Sequence, residues 1–90
     1  MIQAFDHTIG GTVMRFCASF GEGPMHHRVI ISRADTAETL VVFDAAGLIG
    51  SIKADMEEPD KQIADAISKA QSDGLIEKAL ETGVIQQATL

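Results

Sequence analysis

The hydrophobic period of this chain changes once, near Asp55. Before that point apolar side chains recur at every second position; after it they recur at every third and fourth. A chain patterned this way orders its strands first and its helices last. That order predicts an α+β fold, with helices laid on one face of an antiparallel sheet.

The first part supplies the sheet. From Thr12 to Phe20, one face carries Thr12, Met14, Phe16, Ala18 and Phe20, and the other carries Val13, Arg15, Cys17 and Ser19. The run from His26 to Arg33 reads as the next strand, and Asp35-Thr36-Ala37-Glu38 as a turn. Thr39 to Phe43 is rich in β-branched residues and reads as a third strand. Asp44-Ala45-Ala46-Gly47 suits a short hairpin loop, and Leu48 to Ala54 then returns as a fourth strand, with Gly50 marking a bulge or a close backbone approach. Residues 2–7 read as a short strand with only a weak signal, and Gly10-Gly11 breaks the segment, so the sheet is counted as about four strands over residues 12–54.

The second part supplies two helices. Asp55, Glu57, Glu58 and Asp60 surround Pro59, which suits a first helical turn, where a proline loses no hydrogen bond and acids complement the positive end. Ile63, Ala66, Ile67 and Ala70 form the stripe of one helix, about 59–72. Ser72-Asp73-Gly74 ends it, with Gly74 as its left-handed terminator. Leu75, Ile76, Ala79 and Leu80 mark a second helix, about 75–82, ending at Gly83. These stripes are expected to cover Met14, Phe16, Val41 and Phe43. The tail, VIQQATL, is left to add a short strand or cover an edge.

Ninety residues, 46% of them hydrophobic, make one domain over residues 1–90 with a thin core. One cysteine, Cys17, excludes an internal disulfide, no run approaches the roughly 20 apolar residues of a membrane span, and the opening MIQAFDHTIGG lacks the form of a secretory signal. A cytoplasmic protein is expected. The charge is divided unevenly. Residues 1–34 hold Arg15, Arg28 and Arg33 against Asp6 and Glu22, a balance of +1. Residues 35–90 hold four lysines against eleven acids, a balance of −7. Such a chain repels phosphate backbones, so direct nucleic-acid binding is disfavoured.

The most site-like run is FGEGPMHHR, Phe20 to Arg28. A phosphate-binding glycine loop needs a helix directly after it, and here a strand follows, so a turn is expected instead. His7, His26, His27 and Cys17 are metal-ligand types, but they show no ligand spacing, and neighbours on a regular strand point to opposite faces. The two helices resemble a helix-turn-helix in outline, yet Leu75 to Thr82 offers one lysine and two acids, a poor set for reading DNA. Neither a cofactor, a metal nor a catalytic group is expected.

The leading expectation is a small non-catalytic protein that binds another protein as inhibitor, adaptor or regulator. Asp55, Glu57, Glu58 and Asp60 would steer a basic partner, which includes the phosphate groove of a nucleic-acid-handling enzyme. The alternative is a small enzyme or ligand-binding domain using Arg15, Cys17, His26, His27 and Arg28 on the exposed sheet face. Unpaired strand edges predict a homodimer in either case.

Overall fold

The computed structural model describes residues 2–21, 28–44 and 59–90. The fold is α+β. Four strands follow one another as an antiparallel meander: β1 (Ile2–Ile9), β2 (Thr12–Phe20), β3 (Arg28–Arg33) and β4 (Thr39–Asp44). Among the described residues two helices follow, α1 (Pro59–Ser72) and α2 (Leu75–Thr82), and the chain returns as β5 (Gln86–Thr89). The sheet order is β1-β2-β3-β4-β5, and β5 runs parallel to β4. A parallel pair needs a long crossover, and the segment containing α1 and α2 is that crossover.

Among the described residues the sheet has five strands against the expected count of about four, and the additions are its two outer strands. The Gly10-Gly11 pair does not break the first segment. With φ of 56° and 82°, it forms a two-residue turn of the I′ kind, which joins β1 and β2 into a tight hairpin. The tail is a strand, and its parallel pairing makes the sheet mixed rather than wholly antiparallel. The expected fourth strand at Leu48 to Ala54, and the hairpin loop before it, lie outside the described residues; Asp44, placed in that loop, is the last residue of β4.

Parity and burial agree over the core. Phe16 and Ala18 of β2, Val29 and Ile31 of β3, and Val41 and Phe43 of β4 are buried on the helix-covered face. Ile63, Ala66, Ile67 and Ala70 of α1 and Ile76 and Ala79 of α2 close over them. Leu40 breaks the alternation: the register shifts between Ile31 and Ser32, so Leu40 is an extra residue on β4, and it turns inward beside Val41.

The helix ends follow from glycine geometry. Gly74 has φ of 66°, a left-handed residue where α1 stops, and its carbonyl accepts the first α2 bond, from Lys78 N–H at 3.1 Å. Gly83 repeats the device, donating its N–H to the Ala79 carbonyl at 2.9 Å. Among the described residues no helix is long and apolar enough to cross a membrane.

Candidate functional site

The sheet face turned away from the helices holds the expected Arg15, Cys17 and Arg28, because even-numbered positions of β3 and odd-numbered positions of β2 share that side. The register orders them. Arg15 stands opposite Asp6 of β1, and its Nε donates to the Asp6 carboxylate at 3.1 Å. Cys17 follows, between Ala4 and Ser32. Next come Ile2, Ser19, Ile30 and Val42, aligned across β1 to β4. Arg28 lies at the far end, beside Gly21, and is ion-paired with Asp44 directly across on β4.

Arg15 and Gly21 are six residues apart, which at 3.3–3.4 Å per residue separates the two arginine rows by about 20 Å. The arginines therefore do not converge. They bracket a strip of small and apolar side chains: Ala4, Cys17 and Ser32 in one row, and Ile2, Ser19, Ile30 and Val42 in the next. Ile2 is 73% exposed, and Val13 on the same face is 63% exposed. Each bracketing guanidinium is matched by a carboxylate on the neighbouring strand, so the face is close to neutral.

His26 and His27 lie outside the described residues, as do Asp55, Glu57 and Glu58. Asp60 is exposed in the first turn of α1. His7 sits on the helix-covered face and Cys17 on the opposite one, so the sheet itself separates those two ligand types. Among the described residues no three His, Cys, Asp or Glu side chains gather closely enough to hold a metal ion.

One polar pair was not visible from sequence. The His7 Nε2 and the Glu77 carboxylate of α2 lie 2.9 Å apart, linking residues seventy positions apart. His7 is only 11% exposed, with its ring edge-on to Phe16 at 6.2 Å. Burial opposes ionisation of Glu77, but the His7 hydrogen bond, its own backbone N–H and the His7 charge together outweigh that effect. Its carboxyl is held below the ordinary value of 4.5. A lowered folded-state value contributes stability that is present above pH 4.5 and is lost as pH falls through the folded value. Glu77 is 42% exposed, so solvent screening keeps the contribution below about 1 kcal/mol. Wild type is expected to lose more urea resistance than Glu77→Gln on acidification through that window. Parallel losses in the two proteins would show that the pair carries no linked stability.

Another charged pair shapes the β3–β4 turn. Arg33 grips Asp35 through two hydrogen bonds, of 3.0 and 2.9 Å, and that grip lowers the Asp35 carboxyl. Ala37 takes φ of 60° there, and the Ala37 N–H reaches the Arg33 carbonyl at 2.9 Å.

The chain was compared with protein-family models, with curated proteins and with solved structures, and it matches none of them.

Proposed function

We propose that this chain acts without catalysis, by binding another protein as an inhibitor, adaptor or regulator. The observation that carries this reading is the layout of the outer sheet face. Two arginines, each held by a neighbouring carboxylate, stand about 20 Å apart with small and apolar side chains between them, instead of converging on a small ligand. Flat, partly apolar surfaces with ion pairs at the rim suit a macromolecular contact better than capture of an anionic metabolite. A single cysteine, Cys17, suits the reducing cytoplasm as the place where it works.

The kind of partner is read from charge. The net charge of −6 is concentrated in residues 35–90, and Asp60 stands exposed beside Asp55, Glu57 and Glu58 in sequence. Those four acids are proposed to steer a basic surface, which includes the phosphate-binding groove of a nucleic-acid-handling enzyme.

Affinity capture from the native host supplies the partner, and stopped-flow association then tests the mechanism. The association rate is expected to fall roughly tenfold or more between low and high salt. Replacing Asp55 and Asp60 with asparagine, and Glu57 and Glu58 with glutamine, is expected to flatten that dependence. A rate insensitive to salt in the wild type rejects steering by these acids.

A further inference from the structure

Among the described residues the sheet has two outer strands, and they are not equally protected. On β5 the N–H and C=O groups of Gln87 and Thr89 point outward, since Leu90 N–H faces β4 and bonds the Asp44 carbonyl at 2.8 Å. The Thr89 carbonyl is already held by Lys69 Nζ at 2.6 Å. This edge is four residues long. Short length and a lysine are both ordinary ways of blunting an edge.

The β1 edge is eight residues long, with no lysine, proline or bulge. The I′ turn makes Ile9 and Thr12 a hydrogen-bonded pair. Alternation then directs Gln3, Phe5 and His7 toward β2, and turns the N–H and C=O groups of Ile2, Ala4, Asp6 and Thr8 outward. Independently, the Gln71 amide approaches the Asp6 carbonyl at 3.3 Å, placing that carbonyl on the outer side. The strand's one acid, Asp6, is matched by Arg15.

We propose that β1 is the interface of a homodimer and pairs antiparallel with β1 of a second copy, about a two-fold axis through Phe5. The register follows from the groups themselves. Only outward-facing residues can hydrogen-bond across the new junction, so Ile2, Ala4, Asp6 and Thr8 must oppose one another. An axis at Asp6 sets two aspartates directly opposite, a repulsive pair. An axis at Ala4 leaves Thr8 without a counterpart among Ile2, Ala4 and Asp6. The axis at Phe5 sets Ile2 against the second copy's Thr8 and Ala4 against its Asp6, and all the outward groups are paired. It also places the two Phe5 rings side by side at a position where side chains approach most closely, and sets Gln3 opposite the second copy's His7. Each Asp6 keeps its own Arg15. The Asp6 carbonyl has two lone pairs and can serve Gln71 and the new strand together. One strand surface thus complements itself in charge and in hydrogen bonding, which is the requirement of an isologous contact.

Light scattering with residue-resolved amide exchange tests this, and its outcome is independent of the partner proposed above. The expected mass is that of two 9.6 kDa chains at micromolar concentration. The amides of Ala4, Asp6 and Thr8 are expected to exchange slowly although they face away from β2, and to lose protection on dilution. Ala4→Pro removes one outward donor and spares the β1–β2 ladder, because Ala4 and Cys17 are not a hydrogen-bonded pair. It is expected to weaken dimerisation about tenfold or more while leaving the circular dichroism unchanged. A single-chain mass with fast outward exchange at every concentration overturns the proposal, as does a dimer unaffected by Ala4→Pro. Outward-amide protection that arises only on adding host extract assigns the edge to a different protein, and overturns it too.

Discussion

Replacing Phe16 with alanine is expected to lower stability by about 3–5 kcal/mol, the range for emptying an aromatic position in a packed core. Phe16 has no exposed surface and lies midway along β2. Its ring is 5.8 Å from that of Phe5 and meets the edge of His7, and it belongs to the same buried cluster as the α1 and α2 stripes. Phe16 is enclosed between the sheet and the buried stripes of the 14-residue α1 and the 8-residue α2, and a close-packed interior relaxes only partly, so the cavity is expected to remain. Small domains are stable by about 5–15 kcal/mol in total, so this one change removes a large share. The His7–Glu77 bond should weaken with it, since Phe16 is part of what orients His7. Urea titration should show a lower midpoint with an unchanged slope. Val13→Ala, on the outer face, serves as the control and should stay within about 0.5 kcal/mol. A loss below about 1 kcal/mol for Phe16→Ala would mean that the helices do not cover this face.

Why the core was legible and the edges were not has a physical cause. Strands β2, β3 and β4 are central, with one face buried, so alternation between apolar and polar residues is strong there. The stripes at Ile63, Ala66, Ile67 and Ala70 carry the helical period for the same reason. Strand β1 lies at the edge. Gln3, Phe5, His7 and Ile9 share the helix side, and Ile2, Ala4, Asp6 and Thr8 share the other, so each face mixes polar and apolar residues and the alternation fades. The signal that remained was Gly-Gly between two runs, which marks a two-residue hairpin as well as a break. In β5, Gln86, Gln87, Ala88 and Thr89 have no apolar period, and only the pairing with β4 defines the strand.

For the outer face, alternation groups Arg15 with Cys17 on β2 and sets Arg28 on one face of β3, but only the register shows that those faces coincide and how far apart the residues stand. Arg28 falls beside Gly21, far from Arg15, because the β2–β3 register is set by Phe20 opposite Val29. His7 and Glu77 are brought together by the packing of α2 over the hairpin, and no local pattern in the sequence encodes a meeting across seventy positions.

The Gly10-Gly11 turn carries the other large expected effect. Gly10→Val with Gly11→Val is expected to cost about 2–4 kcal/mol, from roughly 1–2 kcal/mol for each side chain forced into left-handed backbone. The cost is conformational and not steric, because a Cβ built at either position meets nothing within 4 Å. Gly10→Asn separates the two explanations. Asparagine tolerates the left-handed region, and Asn-Gly is the favoured I′ pair, so this change should leave stability within about 0.5 kcal/mol or raise it. Urea midpoints for the single and double variants measure the difference. Equal losses for asparagine and valine at position 10 would refute the conformational account. The turn also sets which β1 groups face outward, since a one-residue slip exchanges the inward and outward sets. The double valine variant should therefore disturb the outward protection at Ala4, Asp6 and Thr8 along with the stability, whereas Gly10→Asn should preserve both. A variant that kept the β1 edge pattern while losing the turn would place the origin of the β1–β2 register in the cross-strand pairs, chiefly Phe5 opposite Phe16.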